Sequence, residues 1–150
     1  MIKAIIFDYY RTLYNPEEKE VSKETLQLLQ RLKEKGLRLA LISKKEQGRE
    51  EEIKASPFFS FFSFVCFCEE KKVTDLETAC RVLKVSKEEA IVVGDRVKKE
   101  ITVGNQAGIK TVWLKKGKFA EEVPTKDTDT PTYVITQLNE VEKVIENLNT

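Results

Sequence analysis

Three apolar runs constrain this chain most: Ala4-Ile-Ile-Phe7, Leu39-Ala-Leu-Ile42 and Ala90-Ile-Val-Val93. None alternates with polar residues, so each strand needs cover on both faces, as in a parallel sheet between two helical layers. Helical patterns separate the runs. Strands are expected at 3–7, 37–42, 63–67, 90–93 and 110–114, with a sixth candidate at 132–135. Helices are expected at 22–35, 45–55, 73–84, 97–107 and 137–148. In the first helix Val21, Leu26, Leu29 and Leu32 share a face, Ser22 is a plausible N-cap, and Gly36 ends it in the left-handed conformation glycine takes cheaply. Ser86-Lys-Glu-Glu89 reads as a capping box before the fourth strand. Right-handed crossovers with a strand-order reversal give the default topology, a doubly wound α/β sandwich.

At 150 residues the chain fits one domain, 1–150. The net charge of +1 gives no bulk attraction to nucleic acid or to an anionic membrane. No apolar run approaches the roughly 20 residues of a spanning helix. The N-terminal run is too short for a signal peptide. A cytoplasmic protein is expected. Cys66, Cys68 and Cys80 have no zinc spacing and read as buried thiols. The absence of histidine removes His-based triads and most zinc sites. Lys and Glu number 40 against 10 for Gln and Asn, a composition that resembles thermostable proteins.

The chemistry gathers at strand ends. Aspartates number only five, against twenty glutamates, yet Asp8 ends the first apolar run and Asp95 follows the fourth as Gly94-Asp95. A lone carboxylate there can cap a helix, ligate a cation or attack phosphorus. Two on adjacent strands place hard oxygen donors a few Å apart at a switch-point crevice, which suits Mg²⁺ and a phosphate.

The surrounding residues form a recognisable series. Asp8-Tyr9-Tyr10-Arg11-Thr12-Leu13 follows the first strand, and Ser43 ends Leu39-Ala-Leu-Ile-Ser43. Lys71 and Lys72 precede a helix, and Gly94-Asp95 is followed by Glu100. In this order the chain resembles the haloacid dehalogenase-like superfamily of aspartate-nucleophile hydrolases, over nearly its whole length. The resemblance implies a Rossmann-like three-layer sandwich with a parallel sheet of about five strands in the order 5-4-1-2-3. It implies a Mg²⁺-dependent phosphomonoester hydrolase working through an aspartyl-phosphate. Asp8 would be the nucleophile, Ser43 would bind a phosphoryl oxygen and a lysine would neutralise charge. Lys72-Val-Thr-Asp-Leu is similar to the helix start of the small magnesium-dependent phosphatases, which favours Lys72 over Lys71. Asp8, the Tyr10 carbonyl and Asp95 would ligate Mg²⁺, with Glu100 holding waters. Lys44 flanks the mouth; it reads as solvated, with attraction of phosphate as the second reading.

Two departures bear on activity. Family phosphatases carry an acid-base aspartate where this chain has Tyr10, and a phenol is a poor proton donor or acceptor at neutral pH. A weak phosphatase is therefore expected, the alternative being a non-catalytic phosphate- or protein-binding module. The short intervals between motifs leave no room for a cap domain, so the open site suits a phosphorylated substrate that can be macromolecular. Residues 58–67 hold six of the eight phenylalanines. They read as a buried third strand with its loop, or as an edge for a homodimer in place of a monomer.

Overall fold

The computed structural model describes residues 1–150. Six parallel strands form one sheet: β1 (Ala4–Asp8), β4 (Arg38–Lys44), β5 (Phe64–Cys68), β6 (Ala90–Gly94), β7 (Lys110–Leu114) and β8 (Tyr133–Ile135). Their spatial order is β5-β4-β1-β6-β7-β8. This is the expected order, extended by one strand: the candidate at 132–135 pairs with β7 through Val112–Leu114 and closes the far edge. The strand count is therefore six, not five.

Side-chain alternation divides the interior. Ile5, Phe7, Leu39, Leu41, Ile91 and Val93 point to one face. There they meet Leu28, Leu29 and Leu32 of α1 (Lys23–Glu34) and Val141, Val144 and Ile145 of α5 (Val141–Leu148). Ala4, Ile6, Ala40, Ile42, Ala90 and Val92 point to the other. They meet Leu76, Ala79, Cys80 and Leu83 of α3 (Val73–Leu83) and Ala107 of α4 (Thr102–Ala107). Alanines on this second face let the helices approach closely. Full burial of a Leu, Ile or Phe side chain is worth about 1.5–3 kcal/mol, so these two clusters hold the sandwich together.

Local signals act as read. The Ser22 hydroxyl accepts from the Thr25 N–H at 3.1 Å, Gly36 sits at φ 86°, and the Ser86 N–H donates to Glu89 at 2.9 Å. A hairpin of β2 (Tyr14–Asn15) and β3 (Glu20–Val21) has no counterpart in the sequence reading, because two-residue strands carry no periodicity. The helix expected at 97–107 opens as a π-helical turn over Val97–Ile101. The helix expected at 45–55 shortens to α2 (Arg49–Lys54). β5 is an edge strand whose residues are all half-buried, and Phe58 behind it is buried in the core, so the phenylalanine cluster is mainly packing. No insertion of domain size separates β1 from β4 or β4 from α3. No helix is long and apolar enough to cross a membrane.

Gly104 marks the tightest helix–sheet contact. A Cβ built there would lie 2.5 Å from Thr111 Cγ2 and 3.5 Å from Val92. Thr111 is fully buried on β7 and has little room to retreat. Gly104→Ala is expected to destabilise the fold by about 1–3 kcal/mol, read as a fall in the urea midpoint without a change in m-value.

Candidate functional site

Register builds the site. Phe7 pairs with Val93, so the next residues outward, Asp8 on one strand and Gly94-Asp95 on the other, leave the sheet side by side. Just beyond, the Tyr9 carbonyl accepts the N–H groups of Thr12, Leu13 and Tyr14 at 3.3, 2.9 and 2.9 Å. This turn puts Arg11 at φ 67°, a left-handed conformation that costs a non-glycine residue about 1–2 kcal/mol. It also brings the Thr12 hydroxyl back to donate to Asp8 Oδ2 at 3.0 Å. No backbone N–H reaches the Tyr10 carbonyl.

Asp8, Asp95 and Glu100 are all buried, and one carboxylate oxygen from each lies within 4.8 Å of the others. The π-helical turn delivers Glu100. Gly94 makes room for it: a Cβ there would meet Glu100 Cβ and Cγ at 2.7 Å. The Lys71 ammonium enters from the loop after β5, donating to Asp8 Oδ1 and, at 2.6 Å, to Glu100 Oε1. Burial opposes the charge on Lys71, but the Asp8 and Glu100 carboxylates outweigh it and hold its pKa above the usual lysine value. Burial, then the charges of Asp8 and Glu100, push Asp95 up to about 8. Burial and Asp8 push Glu100 up to about 7, against the pull of Lys71. Three ionised carboxylates and one ammonium would leave two uncompensated negative charges. Asp95 Oδ2 and Glu100 Oε2 are buried without any hydrogen-bond partner. Clustered hard oxygens with orphaned lone pairs are the donor set of a divalent cation.

Of the two lysines, the structure brings Lys71 to the carboxylates and leaves Lys72 outside. Lys72 is the N-cap of α3: its N–H donates to Asp75 Oδ2 at 2.9 Å and its side chain is exposed. Lys71, one residue earlier, turns inward. Asp75, three residues after Lys72, was the available signal, because an acid at the third helical position marks the cap. Ser43 is fully buried at the end of β4, but its hydroxyl donates to the Lys44 carbonyl at 3.1 Å. It does not line the cleft. Lys44 lies on the rim and pairs with Glu46 at 3.7 Å. Tyr10 stands in the mouth, stacked on Tyr14 at 5.6 Å between ring centroids. Trp113, buried near the end of β7, donates its indole N–H to the Asp95 carbonyl at 3.0 Å.

Above the carboxylates lies an open cleft of about 940 Å³. One wall is Tyr10 and Arg49. Arg96, Lys118 and Phe119 also line the cleft, with the Arg96 guanidinium 3.9 Å from the Phe119 ring centre. The cleft can admit an anion above a cation-binding floor.

A family model described as HAD-hydrolase-like matches residues 74–141. A glyceraldehyde 3-phosphate phosphatase from Pyrococcus abyssi is 32% identical over 128 residues, covering 81% of this chain and 53% of that protein. The chain is similar to the haloacid dehalogenase-like superfamily over this region. A second glyceraldehyde 3-phosphate phosphatase, from Methanopyrus kandleri, is 40% identical over 70 residues, 47% of this chain and 30% of that protein. The chain thus spans between about a third and about half of these curated relatives. Among solved structures, the D,D-heptose 1,7-bisphosphate phosphatase of B. bronchiseptica, complexed with magnesium and phosphate, superposes with a TM-score of 0.79. It is 16% identical and the match covers 97% of this chain and 99% of that one. At that identity the superposition shows a shared fold alone.

The glycine before Asp95 is the position on which the carboxylate cluster turns. Gly94→Ala is expected to displace Glu100 and weaken Mg²⁺ binding by about 10-fold, equivalent to about 1.4 kcal/mol, as measured by calorimetry. Melting temperature, recorded alongside, separates this from general unfolding.

Proposed function

We propose that the chain is a Mg²⁺-dependent phosphomonoester hydrolase that works through an aspartyl-phosphate on Asp8. The observation that carries this reading is the convergence of Asp8, Asp95, Glu100 and Lys71 at the floor of an open cleft. The names of the archaeal relatives support the phosphatase class.

Each group has a role that its surroundings suit. Asp8 Oδ2, steadied by Thr12, would attack phosphorus as the ester oxygen departs on the far side. Lys71, donating to Asp8, would offset charge on the phosphoryl oxygens. Asp95, Asp8 and the Tyr10 carbonyl would hold Mg²⁺, with Glu100 beside them. Mg²⁺ would supply Lewis-acid stabilisation of the phosphoryl oxygens. Trp113 would hold the Asp95 backbone in register. Ser43 would have to turn its hydroxyl from Lys44 to reach a phosphoryl oxygen, and Lys44 would attract phosphate from the rim. Water could enter the open cleft to cleave the aspartyl-phosphate. Glyceraldehyde 3-phosphate, the substrate in the relatives' names, is one candidate, and a phosphorylated macromolecule is another.

The first test is turnover of p-nitrophenyl phosphate with and without Mg²⁺. Activity should require the cation and vanish in Asp8→Asn. Lys71→Met should lower kcat by about 10²–10³-fold, the scale for loss of one preorganised electrostatic partner. Lys72→Met should stay within about 3-fold, because its side chain faces solvent. Equal losses at the two lysines would count against the assignment of Lys71.

Tyr10 separates a weak enzyme from a binding module. Its ring faces are occupied, by Tyr14 on one side and by the Arg49 guanidinium at 4.6 Å. In a phosphatase lacking only its acid-base group, Tyr10→Asp should raise turnover of the aryl phosphate by about 10-fold or more. A binding module would remain inert after the same change.

A further inference from the structure

We propose that Arg49 forms a second anion subsite, so that the cleft prefers phosphomonoesters carrying a further carboxylate or phosphate over those with a neutral remainder. For its catalytic arm this rests on the phosphatase reading.

Arg49 is the first residue of α2 and lines the same cleft as Asp8. Its guanidinium lies 4.6 Å from the Tyr10 ring centre and 5.8 Å from that of Tyr9. Those rings are themselves fixed. Tyr9 is buried, stacks on Tyr14 at 5.3 Å and donates its hydroxyl to Glu52 at 3.0 Å. Tyr10 stacks on the same Tyr14. A cation over such a platform gains about 0.5–2 kcal/mol and loses its rotamer freedom before any ligand arrives.

Arg49 is also unpaired. Among the other rim cations, Arg11 pairs with Glu17, Lys44 with Glu46, Arg96 with Glu122 and Lys98 with Asp129. No carboxylate oxygen lies within 4.0 Å of Arg49, and its one hydrogen bond is a long 3.5 Å contact to the Lys44 carbonyl. A guanidinium held in place with free donors can grip a carboxylate or phosphate bidentately. Lys99 and Lys118 also line the cleft without a carboxylate partner, but both are exposed, and Lys118 touches one ring, Phe119 at 5.4 Å, where Arg49 lies over two. Glu69 and Glu70 line the same cleft and favour no anion, which leaves the cations to select the ligand.

This gives Tyr10 a purpose where a family phosphatase has its acid-base aspartate: it is the platform for Arg49. It also places glyceraldehyde 3-phosphate, with its neutral remainder, in the disfavoured class.

The test compares 2-phosphoglycolate with 2-hydroxyethyl phosphate, in two arms. In turnover, the wild type should favour 2-phosphoglycolate in kcat/KM by about 10-fold, mainly through KM, as expected for one charge-assisted pair. Arg49→Met should bring that ratio to within about 2-fold, and Arg49→Lys should retain an intermediate ratio. In binding, calorimetry on the Asp8→Asn protein with Mg²⁺ should show the same preference and the same loss on adding Arg49→Met. Hydrolysis of both esters with equal efficiency would overturn the subsite and leave the phosphatase reading intact. No hydrolysis of either, with Arg49-dependent preference in binding, would overturn the phosphatase reading and support the subsite. Equal affinity for the two esters would overturn the subsite whatever the turnover.

Discussion

Three carboxylates packed around one ammonium at the edge of a sheet govern this structure. Taking several charges out of water costs several kcal/mol each, and mutual attraction repays it only with good geometry and satisfied lone pairs. Here Lys71 satisfies Asp8 and one oxygen of Glu100, while Asp95 Oδ2 and Glu100 Oε2 stay unmatched. The cluster is therefore a burden on the fold until a cation joins it. The two apolar clusters, one on each face of the sheet, must carry that burden. The apolar runs of β1, β4 and β6, the strands that border the site, supply residues to both clusters.

That character is why much of the fold was legible. Runs such as Ala90–Val93 admit few arrangements besides a central parallel strand, and their spacing fixes the crossovers. What escaped notice has no periodic signature. The hairpin at Tyr14–Asn15 and Glu20–Val21 is too short to show alternation. The π-helical turn at Val97–Ile101 follows from packing Glu100 beside Gly94, a contact between residues six apart that no helical pattern encodes.

The site divides along the same line. Asp8 and Asp95 are set by strand register, so their meeting could be anticipated; Glu100 was implied by the resemblance, and its placement rests on the π-helical turn. The lysine could not be read from motif spacing alone, because a shift of one residue at a helix start reverses which side chain faces inward; only the Asp75 cap decides it. Trp113 escaped for another reason. Its ring is packed as its hydrophobicity suggests, but the indole N–H still needs a partner, and the nearest buried acceptor is the Asp95 carbonyl. Arg49 opens α2 and Tyr10 lies in the turn after β1, so the two are adjacent only in three dimensions.

The uncapped cleft has a kinetic consequence. Enzymes that close over their substrate often spend the turnover cycle waiting for the closed state to reopen. With nothing inserted between β1 and β4 or between β4 and α3 to swing shut, a ligand here enters and leaves by diffusion past a fixed rim. Selection among ligands then falls to static contacts on that rim rather than to the free energy of a closing motion, and ligand exchange carries no conformational clock of its own.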